Sequence, residues 1–290
     1  MARRKKGNPI NGWLILDKPV GMTSTQAVGF VRRVFNAQKA GHAGTLDPLA
    51  TGVLPIAMGE ATKTVPYAVD GEKHYRFTVR WGAETNTDDS EGETVETSTQ
   101  RPSRADILSV LPRFIGEISQ VPPAFSAIKI DGNRAYDLAR AGEAVVLEPR
   151  TVVIDTLELV EMVDEATAVF EARCGKGTYV RAIARDMGRV RGCRGHIIAL
   201  RRTQVGGFYE GDAVSVEELE AAAEAGWDQL EMLLSPIETA LRDLHELSIS
   251  QNDAVRLLRG QSVLIRGRDA PHSAGPSYAT AGTTQAVGSA

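Results

Sequence analysis

A carboxylate and an imidazole stand five residues apart in a glycine-rich stretch of this 290-residue chain. Residues 41–54 read Gly-His-Ala-Gly-Thr-Leu-Asp-Pro-Leu-Ala-Thr-Gly-Val-Leu. Glycine takes positive φ without steric cost and lets a ligand approach the main chain, while Pro48 biases Asp47 toward an extended conformation. The pattern therefore indicates a stiff loop that presents the Asp47 carboxylate, with the imidazole of His42 shortly before it. The alternative is an ordinary turn in which Asp47 caps nearby backbone groups.

A cation at the start of a helix is the second feature that could do chemistry. Residues 174–188 read as a strand end, a Gly-Lys-Gly-Thr turn and a helix. The turn lacks the contiguous Gly-Lys-Thr and the earlier glycine of a phosphate loop, which argues against an NTPase. Helical spacing predicts an apolar face and a basic face, made of Val180, Ile183, Ala184 and Met187 and of Arg181, Arg185 and Arg189. The helix dipole opposes a cation at Arg181, so this residue either faces a partner anion or is an ordinary surface arginine.

Bulk composition places few limits on function but excludes several classes. Hydrophobic residues make up 42% of the chain and charged residues 24%, as in an ordinary globular protein. No apolar run approaches the roughly 20 residues that span a bilayer, and the basic start at residues 3–6 is not followed by the apolar core of a secretory signal. Two cysteines form neither a disulfide framework nor a zinc pattern. We therefore expect a cytoplasmic protein that binds no metal and no membrane.

The net charge of −4 hides a segregation of charge along the chain. Residues 173–202 carry nine Lys or Arg and one acid, whereas residues 84–96 and 217–231 contain no basic residue. A basic face on an acidic protein suits a polyanion bound in one groove. From charge alone, a solvated arginine-rich helix is the equal alternative.

Strands and one turn must hold these residues in place. Residues 13–16 form a short buried strand that ends in a turn containing Lys18, which by itself would be a surface lysine. Residues 73–81 alternate strictly, and Tyr75 shares a face with apolar neighbours, which alone favours a half-buried core tyrosine. Leu200 lies in a later strand, and its pattern alone assigns it to the core.

Several of these motifs together resemble the bacterial tRNA pseudouridine-55 synthases of the TruB type. Residues 41–54 resemble the catalytic motif of that family, and the Leu-Asp-Lys-Pro-Val-Gly turn at 16–21 resembles its first motif. Residues 122–129 resemble its Pro-x-x-(Phe/Tyr)-Ser-Ala-(Ile/Leu)-Lys segment, and Lys-Gly-Thr-Tyr-Val-Arg follows at 176–181. The similarity runs from about residue 12 to residue 218 with the motifs in the family's order.

The resemblance implies a fold and a reaction. The fold is α+β, with a mixed, largely antiparallel sheet flanked by helices and a central cleft. The reaction turns uridine 55 of the tRNA T loop into pseudouridine: the N1–C1′ bond breaks, the base turns, and a C5–C1′ bond forms. No group is oxidised or lost, so we expect no cofactor and no metal.

The resemblance also implies a role for each candidate residue. Asp47 is the catalytic carboxylate, as nucleophile or as stabiliser of a glycal-type intermediate, and Arg181 pairs with it and favours its charged form. The other members of the site surround the flipped base. Tyr75 stacks on the uracil, Tyr179 closes the pocket, Leu200 forms an apolar wall, His42 fills the vacated stack in the RNA, and Lys18 supports the site.

The expected organisation has four parts. We predict a disordered basic N-terminus over residues 1–11 and a catalytic domain over residues 12–246. Family members usually end in a complete PUA-like RNA-binding domain, but here we predict only a partial appendage over 247–270 and a loose low-complexity tail over 271–290. The expected partner is the T loop and T stem of tRNA. We expect a monomer with no obligatory protein partner. Its basic stripe, formed by Arg181, Arg185 and Arg189, is expected to track the phosphates of the RNA.

Three other functions remain to be separated from this hypothesis. One is an RNA chaperone that binds and refolds tRNA without required catalysis. Another is a guide-RNA-dependent rRNA pseudouridine synthase, which needs protein partners. The third is an aspartyl phosphotransferase. Metal-assisted phosphate chemistry would need a second aspartate at position 49, where this sequence has Leu49.

Overall fold

One large sheet organises the protein, as the predicted α+β class requires. The computed structural model describes residues 7–126, 128–130, 133–136, 147–265, 275–281 and 284–289. Its strands are β1 (Gly12–Lys18), β2 (Ala40–His42), β3 (Thr51–Met58), β4 (Lys73–Trp81), β5 (Ala83–Thr85), β6 (Thr94–Thr97), β7 (Gly116–Gln120), β8 (Lys129–Ile130), β9 (Asn133–Arg134), β10 (Arg150–Asp164), β11 (Thr167–Cys174), β12 (Gly195–Val205), β13 (Phe208–Tyr209), β14 (His245–Ser248), β15 (Pro276–Ala281) and β16 (Thr284–Ser289). Its helices are α1 (Ser24–Val34), α2 (Val65–Asp70), α3 (Arg104–Val110), α4 (Val180–Arg191), α5 (Val216–Ala225), α6 (Trp227–Met232) and α7 (Gln251–Leu258).

The large sheet is mostly antiparallel, and among its described strands one neighbouring pair is parallel. The strand order is β1-β3-β12-β4-β11-β10-β7, with β2 added to β3 and β13 to β12. Strands β3 and β12 run parallel, so that Arg202 pairs with Gly52. Strand β12 is antiparallel to β4 on its other side, where Arg202 lies opposite Tyr75. This arrangement brings the entry to β3 and the middle of β4 together across a single strand.

Local sequence signals explain where the helices begin. Thr23 and Gln26 form a capping box before α1, with Thr23 Oγ1 accepting from the Gln26 N–H at 3.2 Å. Ser103 and Asp106 form the same motif before α3. The capping side chains satisfy backbone N–H groups that a helix start leaves without partners. Helix α4 ends at Gly192, whose φ of 68° is the left-handed conformation that glycine adopts most readily.

The sheet is anchored by a continuous core. Phe77 of β4 stacks on Phe170 of β11 with ring centroids 5.4 Å apart, and Trp81 meets Phe170 edge-on. The predicted apolar face of α4 is buried against this core, including Ile183 and Met187. Burying these side chains supplies the main driving force that fixes α4 on the sheet.

The C-terminal region differs from its expected looseness. Strands β14, β15 and β16 form a three-stranded sheet. Its central strand, β15, is parallel to β14 and antiparallel to β16. Helix α7 begins at a cap in which Ser250 accepts from the Asp253 N–H. The low-complexity composition of residues 271–290 had predicted a loose tail, yet β15 and β16 lie within it. Backbone hydrogen bonds between strands do not depend on side-chain variety, which is why composition was a poor guide here. The expected division into domains stays a prediction.

The N-terminal segment pairs with the connection between α1 and β2, although it was predicted to be disordered. Residues 1–6 lie outside the described residues. Asn8, inside the segment predicted to be disordered, forms a bridge with Ala37, and the Gln38 N–H donates to its carbonyl at 3.0 Å. Within the described part of the chain, no helix is both long and apolar enough to cross a membrane.

Candidate active site

Asp47 lies in the loop between β2 and β3, and that loop is held from both ends. On the N-terminal side, the Ser24 hydroxyl donates to the Leu46 carbonyl at 3.0 Å and accepts from the Leu46 N–H at 2.9 Å. On the C-terminal side, the Lys18 ammonium donates to the Pro48 carbonyl at 3.4 Å and to the Met22 carbonyl at 2.7 Å. The loop is therefore rigid where it carries Asp47. The Asp47 side chain itself is 35% exposed.

Lys18 supports this loop from below. Its side chain is fully buried, and burial lowers its pKa to about 8, with the Asp47 charge partly offsetting that effect. A buried ammonium is stable only with acceptors around it. The carbonyls of Pro19, Met22 and Pro48 supply them. Lys18 does not line the cleft beside Asp47, so the geometry gives it the supporting role and no direct contact with a bound base.

Arg181 is the ionic partner of Asp47. Its Nε lies 2.9 Å from Asp47 Oδ2, and its NH1 lies 3.5 Å from Asp89. The guanidinium also donates to the Thr87 carbonyl at 2.6 Å and to the Phe125 carbonyl at 2.9 Å. Arg181 is 4% exposed, so these contacts fix its position. The unfavourable placement of a cation at a helix start is thus answered by two carboxylates.

Five of the predicted site residues line one cleft of about 270 Å³: Asp47, Tyr75, Tyr179, Arg181 and Leu200. They come from five separate places in the chain: the β2–β3 loop, β4, the residue before α4, α4 and β12. Burial raises the pKa of the Tyr75 phenol and of the Tyr179 phenol, which keeps both rings neutral. The cleft combines a carboxylate, two aromatic rings and an apolar wall, which fits a planar base attached to a sugar. His42 lies at the end of β2 and does not line this cleft.

Gln120 holds the backbone of Tyr179. Its side-chain amide accepts from the Tyr179 N–H at 2.9 Å and donates to the Tyr179 carbonyl at 3.2 Å. Gln120 is buried at the end of β7, and Tyr179 is the residue that precedes the first turn of α4. The start of the helix that carries Arg181 is therefore fastened to the sheet edge.

The basic stripe of α4 does not face solvent as predicted. Arg185 is buried, with NH1 2.9 Å from Asp88, and its Nε 2.8 Å from Asp186. Arg189 pairs with Glu84, whose carboxylate is buried. The acidic segment that begins at Glu84 therefore covers Arg181 and Arg185, which are not free to track phosphates, whereas the side chain of Arg189 stays half exposed. Helical spacing placed the arginines on one face correctly, but it could not show that the acidic segment packs on that face.

Burial of the Asp88–Arg185 ion pair changes the pKa of its carboxyl group. Desolvation raises the pKa of the Asp88 carboxyl to about 6, and the Arg185 guanidinium opposes that rise. Among the described residues, no group of three or more His, Cys, Asp or Glu side chains is arranged to hold a metal ion.

Sequence reasoning missed three residues of the site: Asp89, Gln120 and Arg202. Arg202 also lines the cleft, and its position two residues after Leu200 in a strand was the available signal, because alternate residues share a face. Asp89 and Gln120 carried no comparable signal, since each reaches the site through tertiary packing alone.

Comparisons with known proteins identify the family of this chain. The TruB family pseudouridylate synthase (N terminal domain) profile matches residues 32–180, and the tRNA pseudouridylate synthase B C-terminal domain profile matches residues 181–242. The tRNA pseudouridine synthase B of Rhodopseudomonas palustris is 60% identical over 280 residues, which cover 96% of this chain and 76% of that protein. The tRNA pseudouridine synthase B of Brucella anthropi is 53% identical over 97% of this chain and 92% of its own length.

Solved structures show the same fold. A chain in the crystal structure of a Cbf5-Nop10-Gar1 complex superposes with a TM-score of 0.76 at 25% identity, covering 96% of this chain and 78% of that chain. A chain in a structure of an H/ACA RNP bound to a substrate RNA superposes with a TM-score of 0.75 at 22% identity, which supports the fold alone. The confirmed α+β sheet, the motifs and the profile matches lead to one conclusion: this chain belongs to the TruB family of pseudouridylate synthases.

Proposed function

We propose that this protein is a tRNA pseudouridine synthase that isomerises uridine 55 in the T loop. The observation that carries the proposal is the Asp47–Arg181 ion pair, which lies at one cleft with Tyr75, Tyr179 and Leu200. The names of relatives 53–60% identical to this chain support the same activity and the same RNA class.

The reaction needs a charged carboxylate close to a sugar and a pocket for a detached base. Asp47 is the only one of the cleft-lining residues that carries a carboxylate, and Arg181 holds it in place while leaving its exposed edge toward the cleft. In the reaction the C1′–N1 bond breaks, the uracil turns, and the C5–C1′ bond forms. The proton lost from C5 is balanced by the one gained at N1, so the product is an isomer. Asp47 acts either as the nucleophile at C1′ or as the stabiliser of a glycal-type intermediate.

The remaining residues hold the base outside the RNA. A uridine in a folded T loop must be extruded, which costs a few kcal/mol. Tyr75 stacks on the uracil, Leu200 supplies the apolar wall and Tyr179 closes the cleft. His42, at the end of the strand before the Asp47 loop, fills the space that the base leaves in the RNA stack. These roles are assigned by the family resemblance, and the cleft's composition supports those of Tyr75, Tyr179 and Leu200.

The proposed enzyme works on free tRNA. We assign it the T loop and T stem as its contacts, a monomeric state without an obligatory protein partner, and a cytoplasmic location. Its fold likeness to a chain solved in a Cbf5-Nop10-Gar1 complex makes a partner-dependent activity the second candidate. Turnover of a tRNA transcript by the isolated chain distinguishes the two, since a strict partner requirement predicts none.

The decisive experiment is tritium release from tRNA that carries [5-³H]uridine, because forming the C5–C1′ bond ejects that hydrogen. We expect release by the wild type, none by Asp47→Asn, and none from a tRNA in which U55 is replaced by C. Asp155→Asn, an exposed carboxylate on β10, is the matched control and should keep full activity. Binding of tRNA by Asp47→Asn should match the wild type.

Two outcomes would contradict the proposal. Bound tRNA without release by the wild type would favour an RNA chaperone. A large loss of tRNA affinity in Asp47→Asn would mean that Asp47 serves binding and not bond cleavage.

A further inference from the structure

Arg202 is a buried cation that the proposed reaction has not yet used. It is 1% exposed and lies in β12, next to the cleft. Its chain neighbour Arg201 makes a conventional pair with Asp17 at 2.8 Å. The hydrogen bonds of Arg202, in contrast, go to backbone carbonyls. A guanidinium that is fully removed from water is expensive unless it is paired, so its position calls for a specific reason.

The carbonyls that Arg202 binds lie on both sides of Asp47. Its NH2 donates to Gly44 at 3.0 Å and its NH1 approaches the Thr45 carbonyl at 3.5 Å, before the aspartate. Its Nε donates to the Val53 carbonyl at 2.8 Å, after the aspartate. One side chain thus connects the two ends of the loop that presents the catalytic carboxylate.

Arg202 also reaches Tyr75, the proposed stacking residue. The two residues are cross-strand neighbours in the β12–β4 pairing, which places their side chains on the same face. The guanidinium interacts with the Tyr75 hydroxyl and opposes the rise that burial causes in the Tyr75 pKa. In turn, burial lowers the pKa of Arg202, and the nearby Tyr75 and Asp47 oppose that change.

The glycines of the loop leave space for Arg202. Gly44 has a φ of +86°, and a Cβ there would stand 3.2 Å from Arg202 NH1. Gly52 has a φ of +96°, and a Cβ there would stand 2.2 Å from the Arg202 carbonyl oxygen. The sequence suggested that these glycines let a ligand approach; the structure shows that they also let Arg202 approach. Two positions of the motif are therefore matched to a residue about 150 positions away.

We propose that Arg202 is a positioning residue of the active site: its guanidinium holds the Asp47 loop and the Tyr75 hydroxyl in one fixed arrangement. The inference rests on the proposed function and extends it to a residue that touches neither the sugar nor the base. Arg202 acts through Tyr75 and through the loop, so its loss lowers turnover by displacing them. Affinity for tRNA should change little, because Arg202 is only 1% exposed and its guanidinium donates to carbonyls of the protein.

A double-mutant cycle tests this coupling. Single-turnover tritium release is measured for wild type, Arg202→Lys, Tyr75→Phe and the double variant, together with KM and tRNA affinity. We expect Arg202→Lys to lower kcat by about 10- to 100-fold with KM nearly unchanged, since lysine keeps the charge but lacks the planar fork of donors. The double variant should lose at least 10-fold less than the product of the two single losses, as coupled neighbours do.

A second pair of variants keeps the proposal testable if Arg202→Lys does not fold. Gly44→Ala places a methyl group against Arg202 NH1 and so displaces the guanidinium from the Asp47 loop. Gly116→Ala places alanine at a similar φ of +89°, where its Cβ meets nothing within 4 Å. Both variants carry similar backbone strain, so they should lose similar stability. Only Gly44→Ala should lower kcat while keeping tRNA affinity.

The outcomes separate the two proposals. If the wild type releases tritium and the single losses multiply in the cycle, or if Gly44→Ala and Gly116→Ala lose activity equally, the role of Arg202 is overturned and the function stands. If the wild type binds tRNA but releases no tritium, the proposed function fails, and the role of Arg202 fails with it.

Discussion

Arg181 and Arg185 lie one turn apart on α4, and the structure uses them differently. Both are buried, and both meet neighbouring acids of one segment, Asp89 and Asp88 respectively. Arg185 binds Asp88, Asp186 and the Val121 carbonyl, and none of these lines the cleft beside Asp47. Arg181 also reaches Asp47, whose side chain is 35% exposed and lines the cleft. The same kind of ion pair is a candidate catalytic group in one turn and a structural fastening in the next.

The two arginines differ in where their carboxylate partners lie: Asp47 lines the cleft that holds the other candidate site residues, whereas Asp88 and Asp186 do not. Removing one partner of a buried pair leaves an uncompensated charge and destabilises a protein by about 3–5 kcal/mol. Both arginines should therefore matter for stability. Only Arg181 should matter in addition for turnover, because only its partner Asp47 lines the candidate cleft.

The largest expected effect is that of Arg181→Met on turnover. Without the guanidinium, Asp47 loses the group that orients it, and we expect tritium release to fall by about 100- to 1,000-fold, the usual loss when one preorganised electrostatic partner is removed. Single-turnover assays on the folded fraction measure it. Arg76→Met is the control, because Arg76 forms a half-exposed pair with Glu171 and should leave the rate unchanged. Equal rates for Arg181→Met and wild type would remove the distinction between the two arginines.

The second prediction concerns Arg185→Met, which should mainly affect stability. We expect the free energy of unfolding to fall by about 3–5 kcal/mol, while release per folded molecule drops far less than in Arg181→Met. Chemical denaturation and the tritium assay at low temperature measure the two quantities. The double variant Arg185→Met/Asp88→Asn should recover part of the lost stability, since it removes both charges. A loss of activity as large as that of Arg181→Met would show that α4 acts as a single unit.

A smaller effect is expected from Gln120→Met, which sharpens the comparison by loosening the start of α4. The change leaves the Tyr179 N–H and carbonyl without their amide partner, a loss of about 1–3 kcal/mol for buried groups. We expect turnover to fall because Tyr179 and Arg181 become more mobile, while the ion pair of Arg185 with Asp88 stays intact. Thermal unfolding and tritium release measure the two effects. Gln38→Met, which removes an exposed amide that donates to Gly7, should change neither.

The smallest effect is a pH dependence of stability that arises from Asp88, the buried partner of Arg185. The Asp88 pKa rises from 3.8 to about 6 on folding because of burial, so the folded state binds more protons than the unfolded state between these values. The contribution of Asp88 to stability is therefore present below about pH 4 and is lost as pH rises through about 6. The stability of Asp88→Asn relative to wild type should then increase from pH 4.5 to pH 7, as measured by denaturation at both values. A relative stability that is flat or falls with pH would contradict the assigned shift.

Prediction from sequence succeeded where local chemistry decides structure. The apolar face of α4 and the alternation of β4 follow from side-chain type and from the helix and strand periods, and the structure has both. Asp47, Tyr75, Tyr179, Arg181 and Leu200 were grouped through a family resemblance, and they line one cleft. Their assigned roles stay predictions until the variants are assayed.

Prediction failed where distant segments meet. The stripe Arg181–Arg185–Arg189 was expected to face RNA, but the segment from Glu84 to Asp89 buries the first two arginines and pairs with the third, which stays half exposed. The sequence showed both charge clusters without showing that they meet. Similarly, the composition after residue 271 did not reveal the pairing of β15 with β14 and β16.

The sequence by itself determined the loop chemistry around Asp47, the identity of the family and the period of each helix and strand, because these depend on neighbouring residues. Only the tertiary structure decided that Asp89 and Gln120 secure Arg181 and its helix, and that Arg202 fills the space left by Gly44 and Gly52. Those contacts join residues many positions apart in the chain. Their energies depend on burial and on mutual orientation, which exist only after the sheet has assembled.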